Sequence, residues 1–311
     1  MSRTIALTGA TGFIGSTLAK GLNNAGWQIQ ALVRPTSDRR CIAGITAHCI
    51  EGNLEDPDSL RRLVCNADAI VHCAGAVRGV SKKQFNYVNV EGVARLVHAA
   101  TKQHPLPRFL LISSLAARAP YLSPYAASKR QAEETLAGSA GDMFWAAFRP
   151  CAVYGPGDRE TLKLFRWIGR GIAPVLGLKD ARFSMLYVDD LVEAVLLWLQ
   201  RGSRTASVFE LHDGQPNGYS WKEVIDVTAR LYARRVLHLK VPEPMLRLLA
   251  GLNLMAAKVM GYRPMLTPGK VREIRHANWV CDNTALNQEI GWRPKIFLEE
   301  GLRRTLGEHL R

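Results

Sequence analysis

Short apolar runs alternate with amphipathic stretches along the first half of this chain. Residues 3–8, Arg-Thr-Ile-Ala-Leu-Thr, read as a short strand buried on both faces. The stretch after them sets Leu18, Leu22 and Ala25 at helical spacing, which predicts a helix with those three inward. Further strands are expected at Gln28–Val33, Ala47–Ile50, Ala67–His72 and Phe109–Ser114. Strands that alternate with helices predict crossover units and a parallel sheet. From about residue 150 the rhythm loosens into scattered helices and short strands.

Between the first strand and the first helix lies Thr8-Gly9-Ala10-Thr11-Gly12-Phe13-Ile14-Gly15. Strand, glycine turn and helix follow in the order a dinucleotide site needs. Gly9 permits the tight turn, Gly12 lets a pyrophosphate approach the backbone, and Gly15 lets helix pack on strand. The helix N-terminus supplies amide donors and a favourable dipole for phosphate. The second strand ends in Arg34-Pro35-Thr36-Ser37, and the first acid after it is Asp38. An acid at the strand end would hold a ribose 2′-hydroxyl, whereas an arginine suits a 2′-phosphate. NADP is therefore the preferred cofactor and NAD the alternative. Gly52-Asn53-Leu54 and Cys73-Ala74-Gly75 end the next two strands, where adenine and ribose would rest. His72, flanked by Val71 and Cys73 in a buried strand, reads as structural.

Tyr125-Ala-Ala-Ser-Lys129 brings in chemistry. Residues four apart share a helix face, so the Lys129 ammonium can sit near the Tyr125 phenol. A free tyrosine, with a pKa of about 10, exchanges protons poorly at neutral pH. A nearby cation favours the phenolate and makes a general acid/base suited to a carbonyl or alcohol.

In order, these pieces resemble the extended branch of the short-chain dehydrogenase/reductase superfamily. The matching stretches are Thr8 to Gly15, Asn53-Leu54, Val71-His-x-Ala-Gly75, Asn89-Val-Glu-Gly92, Phe109 to Ser114, and Tyr125-x-x-x-Lys129. They continue through Arg149-Pro150-x-x-Val153-Tyr-Gly-Pro-Gly-Asp158, Tyr187-Val-Asp-Asp190 and Asn283 to Pro294. The resemblance implies an α/β fold: a Rossmann doubly wound parallel sheet with a smaller, mostly helical C-terminal substrate lobe. Residues 1–150 would form the cofactor domain, with return segments from about 175–212, and 151–311 mainly the substrate lobe. Ser114 matches the serine that hydrogen-bonds the substrate oxygen, with Ser113 the near alternative. Tyr125 would be the acid/base, while Lys129 would bind the nicotinamide ribose and lower the Tyr125 pKa. Tyr121 has Tyr125 at its i+4 position and so lacks a charge partner. Cofactor contacts are implied at Thr8, Gly9, Thr11, Gly12, Phe13, Ile14, Gly15, Arg34, Asn53, Leu54, Cys73, Ala74, Gly75, Ser113, Lys129, Pro150 and Val153. Asn89 matches a motif asparagine, for which cofactor contact and a helix-to-sheet structural contact are both open.

The second half discriminates among activities. A sugar dehydratase of this branch carries a Thr-Asp-Glu-like triplet, but here Ser114 is followed by Leu115-Ala116. Nucleotide-sugar epimerases carry an arginine seven residues before the aspartate at the Asp190 position. Phe183 stands there, with Arg182 one place off. Pro244 to Gly261 reads as a helix apolar nearly all round, broken by Arg247, Gly251 and Lys258. Such a helix is buried or faces something greasy. With the following Tyr262 to Pro268, it resembles 3β-hydroxysteroid dehydrogenase-like and dihydroflavonol-reductase-like members. The expected activity is hydride transfer between nicotinamide and an alcohol or ketone carbon of an apolar small molecule. A nucleotide-sugar 4-epimerase using the same triad is the alternative. The second alternative is a non-catalytic accessory protein that keeps the cofactor fold.

Composition refines this picture. The net charge is +14 over 311 residues, and it divides evenly between the halves. That suits a phosphorylated cofactor or peripheral contact with an anionic membrane. No nucleic-acid-binding motif is present, so nucleic acid is not expected. The six cysteines include no C-x-x-C pair and no zinc-like spacing with histidine. No metal is expected, and the thiols suit a cytoplasmic protein. The N-terminus enters a strand directly, with no secretory pattern. A monomer or homodimer is anticipated.

Overall fold

Seven parallel strands lie side by side, each followed by chain that crosses one face of their sheet. The computed structural model describes residues 3–202 and 206–307. In chain order the first half gives β1 (Thr4–Thr8), α1 (Phe13–Asn24), β2 (Gln28–Val33), β3 (Ala47–Glu51), α2 (Pro57–Val64) and β4 (Ala69–His72). Then come α3 (Lys82–Asn89), α4 (Glu91–Ala100), β5 (Arg108–Ile112), α5 (Pro124–Ser139) and β6 (Trp145–Pro150). The second half contributes β7 (Ala152–Tyr154), α6 (Thr161–Gly169), β8 (Ile172–Val175), β9 (Arg182–Phe183), β10 (Met185–Tyr187), α7 (Val188–Arg201) and β11 (Ser207–Leu211). It ends with β12 (Tyr219–Ser220), α8 (Trp221–Leu231), β13 (Leu237–Lys240), α9 (Glu243–Met260), α10 (Pro268–Ile274), β14 (Asn278–Trp279), α11 (Thr284–Ile290) and α12 (Leu298–Leu306).

The main sheet has the order β11-β6-β5-β4-β1-β2-β3. The order reverses beside β1, which is the doubly wound arrangement with its ligand crevice at the carboxyl ends of the strands. The two-residue side-chain period divides each strand between two cores. Ile5, Leu7, Leu110 and Ile112 face one layer with α1 and α7. Ala6, Phe109 and Leu111 face the other, with α2, α4 and α5. This is why the strands read as unbroken apolar runs. Leu18 and Leu22 are buried as expected, but Ala25 is exposed. The helix ends at Asn24, and Gly26 turns the chain at φ +80°.

The remaining chain builds the lobe beside the carboxyl edge. Its core joins Tyr154, Phe165, Met185, Tyr187 and Val224 to Leu298 and Leu302 of α12. Small sheets pair β7 with β10, β8 with β13, and β9 with β12 and β14. Helix α11 and Trp292 instead pack into the core of the main sheet. Among the described residues no helix is long and apolar enough to cross a membrane.

Candidate active site

Helix α5 begins where its sequence dictates. Ser123 caps it, accepting the Ala126 amide at 2.9 Å, and Pro124 fills the first turn. Tyr125, Lys129 and Glu133 then follow at four-residue steps along one side. Lys129 is buried and donates to the Ile112 carbonyl at the end of β5, at 2.9 Å. Burial lowers its pKa. Glu133 receives the Arg149 guanidinium through two oxygens, at 2.9 and 2.6 Å, and also accepts the Ser113 hydroxyl. Ser113 is thereby turned inward. Ser114 caps the turn at 115–118, accepting the Ala116 amide at 3.2 Å, and hydrogen-bonds the Tyr125 phenol.

Burial pushes the Tyr125 phenol up to about 12; the Ser114 hydrogen bond pulls the other way, and the Glu273 carboxylate raises it further. Lys129 was expected to lower this value. Instead its ammonium is bonded to the Ile112 carbonyl, and burial of the phenol dominates. The resting group is a neutral phenol able to donate a proton.

Beside this triad lies the glycine turn. Gly9 sits at φ +75°, and a Cβ there would come within 2.6 Å of the Ala74 amide nitrogen. A Cβ on Gly15 would overlap the Gly9 carbonyl oxygen. Gly12 is the N-cap of α1, and no side chain caps that helix. The unsubstituted cradle and the uncapped amides fit a pyrophosphate. Thr11, Phe13 and Ile14 belong to this loop, and the Phe13 ring stands near Gly155 and Gly157. Thr8 bonds His72 at 2.7 Å and accepts the Ala74 amide at 3.2 Å, locking Cys73-Ala74-Gly75 against the turn. Burial pushes His72 down to about 3, so it is a neutral structural group. Asn53 accepts the Glu55 and Asp56 amides and shapes the turn after β3, and Leu54 packs beneath Gly92. Asn89 accepts the Ala76 amide and donates to the Ala76 carbonyl and to Ser128. It staples the loop to α5 and is buried. Arg34 is exposed just past β2, and among the described residues its guanidinium has no hydrogen-bond or ion-pair partner. Pro150 closes β6, and Val153 pairs with Leu186 across β7 and β10.

The model of the "NAD dependent epimerase/dehydratase family" matches residues 5–210. The chain belongs to this family. It is 33% identical to the ceramide reductase of Caulobacter vibrioides, over 97% of this chain and 93% of that protein. It is 27% identical to the 2-alkyl-3-oxoalkanoate reductase of Stenotrophomonas maltophilia, over 96% and 97%. The solved UDP-glucose 4-epimerase of Thermotoga maritima shares the fold, with a TM-score of 0.77 at 22% identity and 97% of each chain covered. As a member of the epimerase/dehydratase family, the chain is an NAD(P)-dependent dehydrogenase, reductase or epimerase.

This family member frames a cavity of about 320 Å³ that Ser114 and Tyr125 help to line. Its walls include Leu164, Phe165, Phe183, Met185, Trp221 and Trp279. The polar side chains Lys270, Glu273 and His276 also reach it. Phe183 stacks near Trp221, with ring centres 5.2 Å apart. Arg182 lines the cavity as well, and it donates to the carbonyls of Asn217 and Gly218 at 2.6 and 2.8 Å and pairs with Glu223 at 3.4 Å. Sequence reasoning missed Glu133 and Glu273. The first had a signal, since it extends the Tyr125–Lys129 spacing by one more turn. The second, held by Ser123 and by Lys270 at 2.8 Å, meets the triad from 148 positions beyond Tyr125 with no local motif.

Proposed function

We propose that this enzyme is an NADPH-dependent reductase that converts the ketone of a long-chain, ceramide-class lipid to an alcohol. The observation that carries this reading is the cavity: a Ser–Tyr pair that shares its lining with aromatic and aliphatic side chains. Such walls bind alkyl chains through burial of apolar area. A nucleotide sugar would need free cationic groups for its diphosphate, and both cations that line the cavity are engaged, Arg182 by backbone carbonyls and Glu223 and Lys270 by Glu273. The two reductase relatives support the same direction. Lys270, Glu273 and His276 offer hydrogen bonds to an amide and hydroxyl headgroup within otherwise apolar walls.

Residues 1–150, joined by α7 and β11, carry the cofactor, and most of 151–311 shapes the substrate pocket. The glycine turn and the α1 N-terminus would hold the pyrophosphate. The free Arg34 guanidinium would pair with a 2′-phosphate, while the first acid, Asp38, is bonded to Arg40. Bound nicotinamide supplies a hydride. Ser114 and Tyr125 hold the ketone oxygen. As that oxygen gains charge, Tyr125 gives it the phenolic proton, while Lys129, held at the end of β5 by the Ile112 carbonyl, would bind the nicotinamide ribose. A phenol held protonated at neutral pH suits reduction. The six cysteines are all free thiols, which suits the cytoplasm.

The test is Tyr125→Phe. Turnover of a long-chain ketone should fall by about 10²–10⁴-fold, the usual range for general-acid loss, with the NADPH dissociation constant unchanged. Unchanged turnover would overturn the assigned role. A wild-type protein that binds NADPH without oxidising it would favour an accessory function.

A further inference from the structure

Helix α9 has two apolar faces, and the fold uses only one. Leu246, Ala250 and Ala257 point inward, against Val271 of α10 and Leu266. The opposite face carries Met245, Leu248, Leu252, Met255, Val259 and Met260. Leu252, Met255 and Val259 are 55%, 67% and 87% exposed, so none of the described residues covers them. Contiguous exposed apolar surface of this kind marks an interaction site. Arg247 and Lys258 fall together along one edge of the helix, between the two faces, by the 3.6-residue period.

Charge narrows the partner. Residues 234–263 hold six arginines and lysines, Arg234, Arg235, Lys240, Arg247, Lys258 and Arg263, against one acid, Glu243. That acid is already paired with Arg247 and Arg275. The strand leading into α9 exposes Leu237 and Leu239 as well. An exposed apolar stripe with a basic edge is the pattern of a helix lying in the interface of an anionic bilayer.

Geometry connects this face to the chemistry. The segment leaving α9 supplies Pro264 and Met265 to a small niche that also contains Tyr125, Phe85 and the exposed Val77. A cavity of about 320 Å³ is at the low end for ligand pockets, so the tails of a two-chain lipid must extend beyond it. We infer that the outer face of α9 seats the enzyme on an anionic phospholipid bilayer, with the niche beside Tyr125 opening at the lipid surface. The docking surface stands on exposure and charge. Only the link to substrate entry rests on the lipid-ketone reading.

Vesicle flotation tests the docking directly. The full-length protein should float with phosphatidylcholine vesicles containing about 30% phosphatidylglycerol, and about tenfold less with pure phosphatidylcholine. The double variant Leu252→Gln/Met255→Gln should lose flotation while keeping its circular dichroism and its turnover of a short, water-soluble ketone. Lys258→Gln/Arg263→Gln should weaken flotation and its salt sensitivity together. Three results would overturn the inference: no flotation with anionic vesicles, flotation unaltered by the double variant, or a dimer that the same variant dissociates. Flotation needs no turnover, so failure of the reductase reading would leave this result standing.

Discussion

At the scale of single residues, each group at the site is set by what surrounds it. His72 is neutral because burial holds it down to about 3. In the unfolded chain it protonates below about pH 6.5. Unfolding therefore takes up a proton between those values, and His72 removes stability as pH falls. His72→Gln should be less stable at pH 7 through loss of the Thr8 bond. The gap to wild type should then close by about 1.4 kcal/mol per pH unit below pH 6.5, as read from urea midpoints. A gap constant with pH would show that His72 is already charged in the fold. Arg34 gives a second residue-scale prediction. Arg34→Ala should weaken NADPH binding by about tenfold or more, as expected for one lost charge-assisted contact, and leave NADH nearly unchanged. Equal losses would remove its assigned role. Tyr125 and Lys129 were legible in the sequence because helix periodicity fixes their neighbourhood. Ser113 and Ser114 were not separable, because adjacent residues at a strand end point opposite ways and only the fold says which way. Here the Glu133–Arg149 pair draws Ser113 inward.

At the scale of elements, two junctions carry the site. The β1–α1 turn brings Gly15 so close to Gly9 that no side chain fits. Gly15→Ala should cost about 1–3 kcal/mol of stability through overpacking, and it should abolish NADPH binding, measured by thermal shift with and without cofactor. The β6–α5 junction is tied by Glu133 and Arg149, whose side chains are 5% and 13% exposed. Glu133→Gln leaves a largely buried cation without its carboxylate and should cost about 3–5 kcal/mol by urea denaturation. The glycine turn was legible because strand, glycines and helix follow one another within a few residues. Helix α9 was half legible. Its apolar periphery was plain from the sequence, but which face the lobe covers depends on Val271 and Leu266, which come later in the chain.

At the scale of the molecule, the parallel sheet brings the β1–α1 glycine turn and the Ser114 and Tyr125 side chains to its carboxyl edge. The alternation of strands and helices predicted that sheet, since each apolar run must be covered on both faces. The pocket was not predictable in the same way. Its walls come from α6, β9, β10, α8, α10 and β14, and Glu273 reaches Tyr125 only once these are assembled. The same proton relay could serve a reductase or an epimerase, so net hydride transfer decides between them. The most direct measurement is a reaction of wild-type enzyme with a long-chain keto-ceramide and NADPH deuterated at the transferable C4 position. The account predicts one deuterium on the carbinol carbon for each NADPH oxidised. Interconversion of UDP-glucose and UDP-galactose, with retained cofactor and no deuterium in any lipid product, would contradict it.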